Sequence, residues 1–124
     1  MYVVLVPSYN EEENIKELIA RLKKIPKAKT IIVDDGSTDS TVDITKRSGI
    51  TLIRHTKNKG KAEAIKTGFN YILKNYPKAE YIILLDADMQ YYPEDAIKLL
   101  KPLEMARLIL LQDIETGLQC LSGT

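Results

Sequence analysis

Cysteine is nearly absent from this 124-residue chain. Cys120 stands alone, which excludes an intramolecular disulfide and any zinc cluster built on cysteine. A reducing, cytoplasmic setting is the expectation that follows. An excess of either charge is also missing, with 18 Lys and Arg against 17 Asp and Glu. No global field therefore recruits nucleic acid or anionic lipid, and any phosphate binding must be local. Apolar runs reach only strand length, far short of the roughly 20 residues that span a bilayer. Met1 leads at once into strand-like sequence rather than a signal peptide, so the chain by itself is expected to be soluble. Neither a Gly-x-x-x-x-Gly-Lys-Ser/Thr loop nor a Gly-x-Gly-x-x-Gly after the first strand is present, which leaves a P-loop and a nicotinamide site unsupported. There is no repeat, low-complexity tract or linker, and the length points to one domain or a fragment of one.

What is present alternates between two periods. Tyr2 to Val6 is a continuous apolar run ended by Pro7 and Ser8, as in a parallel strand covered on both faces. Ile15, Leu18, Ile19, Leu22 and Ile25 recur at helical spacing behind Glu11, Glu12 and Glu13, acids that suit a helix N-terminus. Thr30 to Val33 reads as a second strand, Asp39 as the N-cap of a helix over Ser40 to Arg47, and Ile50 to Arg54 as a third strand. Ala62, Ile65, Phe69, Ile72, Leu73 and Tyr76 mark a helix that begins at Lys61 and ends before Pro77. Tyr81 to Leu85 reads as the fourth strand, and Pro93-Glu94-Asp95 opens another helix. Arg107 to Leu111 is expected to form a fifth strand, a helix extended past a kink at Pro102 being the other reading, followed by an aperiodic tail, which gives a core over residues 1–111 and a tail over 112–124. Strands alternating with helices predict an α/β domain with a mostly parallel sheet and right-handed crossovers. Ligands in such sheets bind beyond the carboxyl ends of the strands, near a topological switch point.

Polar clusters stand at those ends. Asp86-Ala87-Asp88-Met89-Gln90 closes the fourth strand, and carboxylates two apart on an extended chain project to the same side. Such a pair can hold Mg²⁺ or Mn²⁺, which share their shells among carboxylates, waters and substrate phosphates; a turn that caps the next helix is the other reading of the pair alone. Asp34-Asp35-Gly36-Ser37 follows the second strand, where its carboxylates can accept from a nucleobase or ribose or can close an Asx-turn. Asn58-Lys59-Gly60-Lys61 brings two ammonium groups to the start of a helix, either as a diphosphate site or as a solvated lysine loop. His55 has no second histidine or cysteine at ligand spacing and reads as a surface or strand-end residue. Tyr71 and Tyr76 read as packing residues, whereas Tyr91 and Tyr92 stand where they can border a ligand.

Taken together, Val6 to Ile15, Ile32 to Thr41, Asn58 to Lys61, and Leu85 to Gln90 followed by Pro93-Glu94-Asp95 resemble the family 2 inverting nucleotide-sugar glycosyltransferases with the Rossmann-like GT-A fold. Within that family they look most like the polyprenyl-phosphate sugar synthases, of which dolichol-phosphate mannose synthase is the best-known type. The resemblance implies Pro7, Tyr9, Glu11, Asp34 and Asp35 around the nucleoside, Lys61 near the phosphates, and Asp86, Asp88 and Gln90 around Mg²⁺ or Mn²⁺, with Asp88 catalytic. It further implies a GDP- or UDP-linked sugar as donor, a lipid phosphate among the acceptors, and a chain peripheral to a membrane.

Full-length members of the family continue well beyond the fifth strand with acceptor-loop segments, whereas Asp113 to Thr124 follows that position here almost at once. The expectation is a donor-binding part truncated at its C-terminus, with a sheet edge that favours self-association. A non-catalytic nucleotide-sugar-binding or assembly module is the alternative reading.

Overall fold

The computed structural model describes residues 1–100 and 102. The elements run β1 (Tyr2–Ser8), α1 (Ile15–Lys23), β2 (Ala28–Asp34), α2 (Thr41–Ser48), β3 (Thr51–Arg54), α3 (Lys61–Asn75), β4 (Tyr81–Leu84) and α4 (Pro93–Lys98). The strands form one parallel sheet in the order β3-β2-β1-β4, with Leu5 of β1 opposite both Ile31 and Leu84. The sheet therefore grows from β1 toward β3, and then the chain returns to the other side of β1 for β4. That reversal puts the topological switch between β1 and β4.

The same reversal sorts the helices. Right-handed crossovers send α3 to the face opposite α1 and α2, because it carries the chain back across the sheet. Packing agrees: Val3, Leu5, Ile31 and Val33 form a buried cluster with Ala64 and Ile72 of α3. The alternate residues Val4, Val6 and Ile32 are equally buried, and strand alternation turns them to the other face. There α2 packs on β2 and β3 and α1 packs beside α2, burying Ile15, Leu18, Ile19 and Leu22 as their spacing predicts.

The buried stripe of α3 differs from the one read in the sequence. Ala64, Gly68 and Ile72 are buried, with Ile65, Tyr71 and Tyr76 packed beside them, whereas Ala62, Phe69 and Leu73 are exposed. Small residues set the contact: a Cβ on Gly68 would lie 2.2 Å from Leu5 Cδ1, so the helix rests directly on β1 and its bulkier neighbours turn away. Helix α2 begins at Thr41, one residue later than expected, yet Asp39 still acts as its acceptor. Its Oδ1 takes the Thr41 N–H at 2.9 Å.

Residues 1–94 make one compact unit. From Asp95 the chain enters a second, whose described part carries the remainder of α4 and an Asp95–Lys98 ion pair. The expected fifth strand over Arg107 to Leu111, the boundary at residue 111 and the tail over 112–124 lie outside the described residues.

Candidate active site

Four chain segments converge at the carboxyl end of the sheet, around a pocket of about 290 Å³. The end of β1 supplies Pro7, Ser8 and Tyr9, with Glu11 from the turn that follows. Asp35 comes from the turn after β2, Asn58 and Lys61 from the loop into α3 and its first residue, and Asp86 to Asp88 from the end of β4. The register accounts for this meeting: Leu85 N–H donates to the Leu5 carbonyl at 3.0 Å, so the acidic segment emerges beside Pro7 at the switch point. Of the residues singled out in the sequence, Pro7, Tyr9, Glu11, Asp35, Lys61, Asp86 and Asp88 line this one pocket.

Asp34 and Gln90 do not. Asp34 is fully buried, and its carboxylate accepts from the Ser37 N–H at 2.8 Å and the Ser37 hydroxyl at 2.5 Å. This is the Asx-turn that the segment also allowed. Ser37 Oγ accepts the Asn10 N–H in turn, and Asn10 Oδ1 accepts the Thr38 N–H, so Asp34 fastens the β1 and β2 turns to each other. Gln90 is exposed and its backbone N–H donates to Asp88 Oδ1 at 3.1 Å, across a turn in which Met89 has φ +62°. Tyr92 lies under the Arg21 guanidinium, 4.3 Å from ring centroid to Cζ, and Tyr91 is exposed. Neither tyrosine lines the pocket.

Gly36 shows how closely the turns are fitted. Its φ is +78°, and a Cβ there would lie 2.6 Å from the Lys57 carbonyl carbon. Gly36→Ala is therefore expected to destabilise the protein by at least about 2 kcal/mol. Gly49→Ala pays only for its left-handed backbone, since nothing lies within 4 Å of a Cβ at that position. Chemical denaturation of the two variants checks this; equal losses would contradict the close approach of the turn to the loop at Lys57.

Asp35 borders the pocket but is 4% exposed. Its Oδ1 accepts from the Lys59 N–H at 2.9 Å and lies 2.8 Å from His55 Nδ1, while its Oδ2 accepts from the Gly60 N–H at 2.8 Å. Burial works to raise the Asp35 pKa, but the bonds from His55, Lys59 and Gly60 outweigh it and hold the carboxyl below its ordinary value. His55, read in the sequence as a surface or strand-end residue, does follow β3 but is buried at 7% exposure. Nothing local could reveal that, because its partner lies 20 residues back. Ser8 was also missed. Its buried hydroxyl has no hydrogen-bond partner among the described residues, and Ser8 lines the pocket.

The donor set suits a hard cation. Asp86 and Asp88 both line the pocket, and a positive group is already attracted there: Lys61 Nζ lies 2.5 Å from Asp86 Oδ1. Two carboxylates make an incomplete shell, which matches the habit of Mg²⁺ and Mn²⁺ of taking their remaining ligands from water and phosphate. Among the described residues no group of three or more His, Cys, Asp or Glu is placed to hold a metal unaided.

Comparisons with known proteins bear on the family and the fold. Residues 3–114 match the family described as Glycosyl transferase family 2. An uncharacterized protein of Methanocaldococcus jannaschii is 42% identical over 99 residues, covering 80% of this chain and 40% of that protein. The dolichol-phosphate mannosyltransferase of Saccharomyces cerevisiae is 34% identical over 113 residues, covering 82% and 40%. Among solved structures, a mannosyltransferase from Pyrobaculum calidifontis in complex with GDP-Man and Mn²⁺ superimposes with a TM-score of 0.62 at 28% identity, over 70% of this chain and 27% of that one. The Rossmann-like GT-A fold expected from the sequence is borne out, and the chain spans well under half the length of these relatives.

Proposed function

The chain belongs to glycosyl transferase family 2, and from that premise we propose that its pocket binds the nucleoside diphosphate of a nucleotide sugar, as the donor part of an inverting glycosyltransferase. The observation that carries this reading is the meeting of Asp86, Asp88 and the Lys61 ammonium with the Pro7–Tyr9 wall in one pocket at the β1/β4 switch. The two carboxylates belong with the diphosphate, and the wall that includes the Tyr9 ring belongs with the nucleoside.

Asp86 and Asp88 would hold Mg²⁺ or Mn²⁺, which supplies electrostatic stabilisation of the leaving diphosphate when bound. The chain's own residues divide the remaining work. Lys61, at the first position of α3, places its ammonium and the helix N-terminus where negative charge grows as the bond from sugar to diphosphate breaks. Asp88 sets the charge of the same corner, and the Gln90 N–H keeps its carboxylate oriented. Pro7 and Tyr9 fix the nucleoside so that the anomeric carbon presents the face opposite the diphosphate, the geometry from which inversion follows.

A hydroxyl acceptor needs a general base, whereas a lipid phosphate arrives already ionised and attacks without one. The dolichol-phosphate mannosyltransferase of Saccharomyces cerevisiae among the relatives supports a polyprenyl phosphate in that role. Such an acceptor brings the site to a membrane surface; among the described residues no helix is long and apolar enough to cross one.

Calorimetric titration with GDP-mannose tests the reading. Saturable binding that tightens at least about tenfold on addition of Mn²⁺ is expected. Absence of binding with GDP- and UDP-sugars alike, with and without the ion, would overturn it.

A further inference from the structure

We infer that His55 is the positioning residue of the phosphate-binding loop: through Asp35 it fixes the Lys59–Gly60 turn, and through that turn the placement of Asn58 and Lys61 in the pocket. This rests on the reading of the pocket as a nucleoside-diphosphate site.

The geometry is a chain of short contacts. His55 Nδ1 lies 2.8 Å from Asp35 Oδ1, and His55 Nε2 lies 2.8 Å from Thr67 Oγ1 on α3. An ionised carboxylate only accepts hydrogen bonds, so Nδ1 carries the proton, and in the neutral ring Nε2 accepts from the Thr67 hydroxyl. One imidazole thereby ties the end of β3, the turn after β2 and the body of α3 to one another. Asp35 passes the constraint on by accepting the Lys59 and Gly60 N–H groups. The next residue is Lys61, whose ammonium sits on Asp86.

Of the four lone pairs on the Asp35 carboxylate, three are occupied by His55, Lys59 and Gly60, which leaves one on Oδ2 for a ligand. The cost of burying Asp35 therefore goes chiefly toward orienting the loop. Without the imidazole the buried carboxylate is short of a donor, and it relaxes by drawing the turn toward itself or by turning toward the pocket. Small displacements of groups that must meet a charged ligand are expensive.

Two substitutions separate positioning from bulk stability. His55→Leu removes the donor and keeps an apolar side chain of comparable reach. His55→Asn restores it, because the Asn amide nitrogen sits near the place of Nδ1. Titrations of the whole chain use GDP and GMP with Mn²⁺, and amide hydrogen exchange is followed without nucleotide. His55→Leu is expected to weaken GDP at least about tenfold and GMP by less than about threefold, with His55→Asn within about threefold of wild type for both. In His55→Leu the Lys59 and Gly60 amides lose protection while those of β1 keep theirs.

A His55→Leu variant that binds GDP as wild type does, with Lys59 and Gly60 still protected, overturns the inference and leaves the nucleotide-site reading standing. Equal loss of GDP and GMP with no rescue by His55→Asn also overturns it, since that is the signature of a general fold defect. If the wild-type chain binds no nucleotide, the reading of the pocket falls, and the exchange of those two amides decides the positioning role by itself.

Discussion

Asp88→Asn is expected to lower Mn²⁺-dependent binding of GDP-mannose by about a hundredfold or more, since loss of even an outer-sphere partner of a metal ligand typically costs 10- to 100-fold. The substitution is chosen because it keeps shape. An Asn oxygen can still accept the Gln90 N–H that Asp88 Oδ1 accepts, so the turn through Met89 persists and only the charge is lost. Binding measured without metal should change by less than about threefold, which separates loss of a cation ligand from collapse of the pocket wall. Gln90→Ala is the matched control. Gln90 is exposed and outside the pocket lining, and alanine retains the N–H that holds Asp88, so affinity should stay within about threefold of wild type. Titration calorimetry of the two variants with and without Mn²⁺ checks both statements. A large loss in Gln90→Ala would put its side chain in the cation shell after all.

Lys61→Met should move two affinities in opposite directions. In the unliganded protein the Lys61 ammonium sits on Asp86, the same carboxylate that a divalent cation needs. Both side chains are more than a third exposed, so solvent screens the pair. Removing the ammonium relieves a like-charge repulsion of about 1 kcal/mol at 4 Å in water and more where the pocket excludes solvent. Mn²⁺ alone should therefore bind roughly three- to tenfold more tightly to the variant. GDP in the presence of Mn²⁺ should bind about tenfold to a hundredfold more weakly, because a charge-assisted contact worth roughly 1.5–3 kcal/mol is gone. Electron paramagnetic resonance of free Mn²⁺ reads the first quantity and calorimetry the second. A parallel change in both would mean that Lys61 acts on the fold rather than on the charge of the site.

The course of the chain was legible wherever periodicity and punctuation agreed. The apolar run of β1 is a strand as read, although the strand continues through Pro7 and Ser8, which pair with Val33 and Asp34, and the α1 stripe at Ile15, Leu18, Ile19 and Leu22 is buried as spaced. Periodicity served less well on α3, because its tightest contact is made by Ala64 and Gly68, residues whose smallness is the reason they are buried. Hydrophobicity points instead to Phe69 and Leu73, which face outward.

The candidate site was legible as clusters at strand ends, since a parallel sheet brings its carboxyl ends to one edge whatever lies between them. Which members of a cluster face the pocket was less visible. Asp34 and Asp35 are adjacent in sequence, yet one closes a turn with Ser37 and the other borders the pocket. Adjacent residues at a strand end project to opposite sides, and the groups that Asp35 meets there, His55 and the Lys59 and Gly60 amides, belong to distant segments. His55 escaped for the same reason: its partners Asp35 and Thr67 lie on other elements. A solitary histidine carries no mark of that in one dimension.

A crystal of the chain soaked with GDP-mannose and Mn²⁺, with anomalous data collected at the manganese edge, tests the central claim most directly. The account predicts a single strong anomalous peak between the Asp86 and Asp88 carboxylates and the diphosphate oxygens, with the nucleoside against Pro7 and Tyr9. Nucleotide ordered elsewhere on the surface, or ordered in this pocket with no manganese beside the two aspartates, would contradict it.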